Sequence, residues 1–234
     1  MSTALVEVSN LNAFYGDAQV LFDVNFRLGE GETIGILGAN GAGKSTFMKS
    51  LTGLVKVDTN SIRLRGEAIG GNAAGEIVRK GIAMVPEGRR LFPSMSVEEN
   101  LLMGGFAKRK GKWNLQEIYK LFPILKEKRN QPSTSLSGGQ QQQVAIGRAL
   151  MSNPDILLCD EISLGLAPVV IKDIYDSLPS ITADGMTVVV VEQDVNLAQR
   201  CSQRLYCFQE GRVALEGKSS ELSRDQISEA YFGI

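Results

Sequence analysis

The sequence predicts an α/β fold: a parallel sheet with helices on both faces, preceded by short β-rich segments and interrupted by a helical middle. Continuous apolar runs at Thr33–Leu37, Ile156–Asp160 and Thr187–Val191 read as strands buried on both faces. They alternate with helical patterns at Ser45–Leu51, Val169–Leu178 and Val195–Gln203, an alternation that favours parallel pairing. The chain has 234 residues, 43% hydrophobic and 22% charged, so it can bury a sizeable core within one compact unit. We expect a single domain over 1–234, with a helical subdomain inserted at about 90–152.

Taken in order, Leu5–Val8 and Val20–Phe26 open the chain as β-rich segments. Thr33–Leu37 runs into a glycine-rich loop punctuated by Asn40-Gly41 and Ala42-Gly43, and Ser45–Leu51 is the helix after it. A strand-like pair follows at Ser61–Leu64 and Ile82–Val85, separated by glycine-rich turns. Ser96 with Glu99 forms a capping-box pattern that opens a helix through about Met103. Leu115–Leu121 and Gln140–Met151 are further helices. After the returning α/β pattern, a strand pair at Leu205–Phe208 and Arg212–Leu215 precedes a short C-terminal helix.

Composition excludes several function classes. A formal net charge of -1 gives no basic surplus for nucleic acid or an anionic membrane. The chain has no histidine, which removes imidazole acid–base chemistry and histidine metal sites. Cys159, Cys201 and Cys207 have neither metal-ligand spacing nor an even count, which suggests a reducing, cytosolic compartment, and Cys159 reads as a small core residue. Met1–Asn10 carries no secretory pattern, and no apolar run approaches the roughly 20 residues of a membrane span. If the protein works at a membrane, another polypeptide does the crossing.

The strongest motif is Gly38-Ala39-Asn40-Gly41-Ala42-Gly43-Lys44-Ser45, a full match to G-x-x-x-x-G-K-[ST] placed after a strand and opening a helix, with Thr46 next. Glycines let backbone N–H groups converge on phosphate oxygens, and the helix N-terminus adds partial positive charge. Lys44 is suited to the β- and γ-phosphates and Ser45 to Mg2+, so ATP with Mg2+ is the expected ligand. In Asp155-Ile-Leu-Leu-Cys-Asp160-Glu161 a buried strand ends in two carboxylates, where α/β sheets place ligands. Asp160 is suited to hold Mg2+ through its water shell. Glu161 points elsewhere because strand residues alternate faces, and it is the candidate general base for the attacking water. Leu136-Ser137-Gly138-Gly139-Gln140 places a hydroxyl and free N–H groups at another helix start, a second potential anion site.

A phosphate loop, then a Ser-Gly-Gly helix start, then an Asp-Glu strand end: this order resembles the ATP-binding subunits of ABC transporters, across essentially the whole chain. The resemblance implies a P-loop (RecA-like) nucleotide-binding core with an antiparallel β subdomain and an inserted helical subdomain. It implies that Leu136–Gln140 is the family signature, closing over the nucleotide of a facing subunit, so that Ser137, Gly138, Gly139 and Gln140 join the ATP contacts. Tyr15, just ahead of Gly16, lies where the family stacks an aromatic on adenine; a tyrosine packed into a small sheet is the alternative. Ser163–Ala167 follows the Asp-Glu pair as the family's D-loop does. Glu87 lies where a glutamine usually touches Mg2+ and senses the transmembrane partner, and Gln193 where the switch histidine usually lies. Gln193 can hydrogen-bond a γ-phosphate but cannot titrate, which leaves Glu161 as base and Gln193 as phosphate sensor. Arg89 and Arg90 either offset the charge of Glu87 or are ordinary surface charge. The basic stretch Lys108-Arg109-Lys110-Gly111-Lys112 reads as a solvated loop.

Val85-Pro86-Glu87-Gly88-Arg89, Ser163-Leu164-Gly165-Leu166-Ala167-Pro168 and Val191-Glu192-Gln193 together resemble the shorter ATP-binding subunit of branched-chain amino acid importers, the LivF type. That implies an ATPase at the cytoplasmic face of the plasma membrane, peripheral, paired with a second ATP-binding subunit as homo- or heterodimer and docked on transmembrane permease subunits. A solute-binding protein is then met only indirectly, and nucleic acid is not a partner. Urea or short-chain amide importers have closely similar subunits. A soluble, non-transport ABC ATPase usually carries two motif sets, and a P-loop kinase leaves Leu136–Gln140 unexplained.

Overall fold

The computed structural model describes residues 4–232. Met1–Thr3, part of the stretch read for a secretory signal, lie outside the described residues. The chain divides into two compact units, Val78–Met186 and the remainder.

In the unit formed by both chain ends, β1 (Val6–Tyr15) and β2 (Ala18–Leu28) form a long antiparallel hairpin across a two-residue turn, Tyr15 opposite Ala18. Their buried residues alternate with exposed ones, as expected of a sheet with one covered face. The β-rich segment expected at Leu5–Val8 is shorter than this strand. Asn10 takes a left-handed conformation (φ 48°) inside a shift of register, and the strand continues past it. β4 (Ile62–Leu64) pairs with β1 and with the short β5 (Glu67–Ala68), completing the order β2-β1-β4-β5. β3 (Thr33–Leu37) lies between β8 (Thr187–Val191) and β9 (Arg204–Gln209), parallel to both, and β10 (Arg212–Lys218) returns antiparallel along β9. All five residues of β3 and of β8 are buried, the pattern of parallel strands covered on both faces. Helices α1 (Lys44–Leu51), α8 (Val195–Cys201) and α9 (Arg224–Phe232) belong to this unit. Phe47 of α1 meets Phe26 of β2 edge-on at 5.1 Å and Phe208 of β9 at 5.2 Å, so aromatic packing fixes the helix that follows the glycine-rich loop.

In the unit Val78–Met186, β6 (Ile82–Val85) and β7 (Ile156–Asp160) pair in parallel. The two strand-like segments expected at Ser61–Leu64 and Ile82–Val85 are β4 and β6; β4 pairs with β1 and β6 with β7, and a helix, α2 (Ala74–Arg79), lies between them in sequence. Its six residues are too few to show a helical period, which is why it escaped detection. Helices α3 (Val97–Gly104), α4 (Leu115–Leu121), α5 (Pro123–Glu127) and α6 (Gly138–Leu150) occupy the middle of the chain. α3 and α6 approach closely through glycine: a Cβ on Gly147 would lie 2.7 Å from Leu101 and 2.9 Å from Ile118. α7 (Pro168–Thr182) runs through Pro179, one turn beyond the Leu178 at which the sequence reading ended it. A proline biases the residue before it away from helix but does not forbid continuation. No helix of the described residues is long and apolar enough to cross a membrane.

Candidate functional site

The phosphate loop belongs to the unit of the chain ends. Leu37 closes the buried strand β3, Gly43 takes a left-handed conformation (φ 99°) as N-cap, and α1 begins at Lys44. Lys44 is only 4% exposed, and a buried ammonium needs oxygen partners. Its Nζ donates to Gly38 O at 2.7 Å and Ala39 O at 3.1 Å, so the loop's own carbonyls organise the cation. Thr46 is buried and Ser45 half-buried in the first turn of α1. Backbone N–H groups at this helix start, a lysine inside the loop and a hydroxyl beside it form a cradle for a polyphosphate.

Gln193 follows β8 by two residues, next to Asp194, the N-cap of α8. Its Nε2 donates to Asn40 Oδ1 at 3.2 Å, which places the residue expected to sense phosphate on the phosphate loop itself. Tyr15 ends β1 and is 48% exposed, so its ring is not packed into the sheet. A half-exposed ring offers a face for stacking.

The other unit carries the carboxylates. Asp160 is the last residue of β7 and is 1% exposed. Glu161 lies outside the strand in the left-handed region (φ 48°), so its direction is set by this turn and not by strand alternation as the sequence reading had it. A non-glycine residue held there is strained, and such strain concentrates at functional positions. In the signature, Ser137 caps α6: its Oγ accepts from Gln140 N at 3.4 Å, and Gln140 Oε1 accepts from Ser137 N at 3.1 Å. Gly139 serves packing as well, since a Cβ there would overlap Val170 of α7. Ser137 remains exposed at the N-terminus of α6.

Glu87 is exposed and begins a loop whose next residues, Arg89 (φ 64°) and Arg90 (φ 49°), are both left-handed. The Arg89 guanidinium donates to Gln141 Oε1 at 3.1 Å, which engages it with the signature helix. Arg148 of α6 donates to Arg89 O at 2.9 Å and stacks on the Phe92 ring at 5.4 Å. Burial holds its guanidinium below the usual arginine range. The sequence reading missed Arg148, although its spacing from Val144 places it on the apolar face of α6, where a charge needs a partner.

The basic stretch is not simply solvated. Arg109, its side chain 23% exposed, donates to Asp155 Oδ1 at 2.8 Å, Asn153 O at 3.0 Å and Arg79 O at 2.8 Å. Lys112 pairs with Asp184 at 2.7 Å and lies over the Trp113 ring. The guanidinium fork bonds three acceptors at once, which composition alone does not reveal. None of the three cysteines is in a disulfide, and Cys159 and Cys207 are buried.

Comparison with known proteins agrees with this architecture. A family model described as "ABC transporter" matches residues 21–163. The chain is 42% identical over 232 residues to the high-affinity branched-chain amino acid transport ATP-binding protein BraG of Pseudomonas aeruginosa, covering 98% of this chain and all of the relative. It is 33% identical to the arginine transport ATP-binding protein ArtP of Haemophilus influenzae, covering 92% of each. Among solved structures, the ADP conformation of the ATP-binding cassette MJ1267 superposes with a TM-score of 0.81 at 26% identity, covering 97% of this chain and 94% of that one. A dimeric post-hydrolysis state of the cassette MJ0796 bound to ADP and Pi gives 0.81 at 29% identity, covering 92% and 98%. With a buried-lysine phosphate loop, an Asp-Glu strand end and a capped signature helix in place, the chain belongs to the ABC transporter family as an ATP-binding cassette, a P-loop α/β ATPase.

Proposed function

We propose that this cassette energises uptake of branched-chain amino acids through separate permease subunits, as a dimeric ATPase peripheral to the cytoplasmic face of the plasma membrane. The observation that carries the substrate class is the 42% identity to BraG over both chains' full span, against 33–35% for arginine and phosphonate transport relatives. Glu87 and Gln193, the two departures from the family's usual glutamine and histidine, support the same branch.

In this reading Lys44 and the loop amides bind the β- and γ-phosphates, and Tyr15 stacks on adenine. Ser45, Asp160 and Glu87 offer hard oxygen donors, the chemistry Mg2+ prefers. Bound Mg2+ supplies charge that stabilises the transferring phosphoryl group. Glu161 accepts a proton from the attacking water as the γ-phosphorus–oxygen bond to ADP breaks, and Gln193 donates to the γ-phosphate. Ser137–Gln140 of one subunit completes the site of the other, so ATP favours the closed dimer and ADP the open one. The dimeric cassette MJ0796 among the similar structures supports a dimer.

Transport by the intact complex in its own membrane tests the substrate class. Deleting the chain is expected to abolish uptake of labelled leucine, isoleucine and valine, and Lys44→Ala to reproduce the loss. Normal leucine uptake with loss of urea or amide uptake would move the assignment to the related importers. Recovery of the chain with ribosomes or DNA and no membrane subunit would support a non-transport ATPase.

A further inference from the structure

The turn between β9 and β10 lies against the phosphate loop, and the sequence motifs give no reason for it. Gly211 N donates to Ala42 O at 3.0 Å, and Gly211 O accepts from Phe22 N of β2 at 2.9 Å. One residue thus bonds the phosphate loop on one side and β2 on the other. Contacts of the loop's glycines repeat the arrangement. A Cβ on Gly38 would overlap Phe208 O, and one on Gly43 would lie 2.7 Å from Leu21 Cδ2 and 3.3 Å from Gly211 Cα. The loop therefore rests at both ends on residues of this turn or its strand.

Gly211 itself admits no side chain. Its φ is 76°, in the region that disfavours L-residues, and a Cβ would overlap Val20 O and lie 2.9 Å from Phe22 Cδ2. The neighbouring Arg212 secures the same strand: its guanidinium lies 5.0 Å from the Phe22 ring, and its Nη1 donates to Phe22 O at 3.4 Å. β2 in turn is hairpinned to β1, which ends at Tyr15. The turn therefore joins the backbone that cradles phosphate to the sheet that presents the half-exposed ring.

We propose that the 209–212 turn, through Gly211, is a positioning element that holds the phosphate loop against β2 in its nucleotide-receiving conformation. A loop that receives phosphate through backbone N–H groups needs its peptide planes fixed before the ligand arrives, since geometry fixed in advance lowers the ordering cost of binding. Gly211 touches no nucleotide; it acts through Ala42 and Gly43. The proposal rests on Gly38–Thr46 being the ATP site, and the variants separate the two claims.

ADP binding by calorimetry, with no turnover to confuse it, is the measurement, alongside the melting temperature without nucleotide. Gly211→Ala is expected to raise the ADP dissociation constant at least tenfold in protein that still folds. Gly66→Ala carries the same kind of strain (φ 82°) with nothing within 4 Å of its Cβ, and is expected to leave it unchanged. Lys44→Ala is expected to abolish binding; if it binds normally, the site assignment itself falls. A Gly211→Ala protein with a lowered melting temperature and an unchanged dissociation constant would reduce Gly211 to a purely structural role and overturn the proposal, as would an equal loss in Gly66→Ala. Hydrogen exchange on the unmodified protein decides the matter even where Gly211→Ala does not fold. By reciprocity, ADP must slow exchange of the Gly211 and Phe22 amides; unchanged rates overturn the proposal.

Discussion

Glu161 follows β7 by one residue, in a left-handed turn, while Asp160 stays buried at the strand's end. That division separates a carboxylate suited to a hydrated cation from one suited to a water molecule, and it motivates a paired prediction. Glu161→Gln keeps the size and one acceptor but cannot take a proton. It is expected to lower ATP turnover by about 100-fold or more, the scale of a lost general base, and to accumulate an ATP-bound dimer on size exclusion. Gln193→Ala, which removes a neutral hydrogen bond to Asn40 and the proposed one to phosphate, is expected to cost far less turnover. Equal losses, or a Glu161→Gln protein that stays monomeric and hydrolyses normally, would reassign both roles. The chain has no imidazole, so its rate–pH profile should show no inflection from a switch histidine.

At the scale of an element, helix α3 shows how capping places a loop. Ser96 Oγ accepts from Glu99 N at 3.2 Å, and Glu99 Oε2 accepts from Ser96 N and Ser96 Oγ, each at 2.8 Å. Those bonds hold the Glu99 carboxyl below its ordinary value of 4.5, the backbone N–H contributing most. Removing the cap by Ser96→Ala is expected to cost about 1 kcal/mol near neutral pH, the usual magnitude for such a cap. A depressed carboxylate contributes stability that is present above its unfolded value and lost as pH falls through its folded one. The difference between variant and parent in thermal or urea melts should therefore shrink below about pH 4.5. A difference that stays constant to pH 3 would show that the Glu99 charge plays no part. The same motif in α6 uses neutral Gln140 in place of Glu99, so no comparable acid sensitivity is expected there.

For the whole molecule, the cysteines give an alkaline limit. Burial pushes the Cys207 thiol up to about 11 and the Cys201 thiol to about 12, from 9.0, with the Glu192 carboxylate adding to the latter. Because the folded values are raised, their contribution is complete below about pH 9 and is lost as pH rises toward the folded values. The half-buried Tyr119 phenol and the buried Tyr206 phenol, both raised above their ordinary range by desolvation, act in the same direction at higher pH. Stability measured by urea midpoint should fall between pH 9 and 11, and Cys207→Ala should flatten part of that fall. Iodoacetamide at pH 8 should leave Cys207 unmodified in the native state and modify it in urea. Rapid native labelling would contradict its burial.

The phosphate-loop motif and the long buried strands were legible in the residues alone. Eight consecutive residues, Gly38–Ser45, specify a phosphate cradle because the interaction is backbone to ligand and local in the chain. Strands such as Thr187–Val191 were legible because burial on both faces demands unbroken apolar runs. Short or irregular elements were not: β5 has two residues, α2 has six, and the β1 bulge at Asn10 looks like a turn. Partner choice was also hidden. That β4 pairs with β1, that Arg109 bonds Asp155, that Gln193 bonds Asn40 and that Gly211 bonds Ala42 are relations between residues distant in sequence. They come from the folded arrangement alone. Hydrogen bonds and close packing depend on which surfaces meet in space, and neither periodicity nor spacing carries that information.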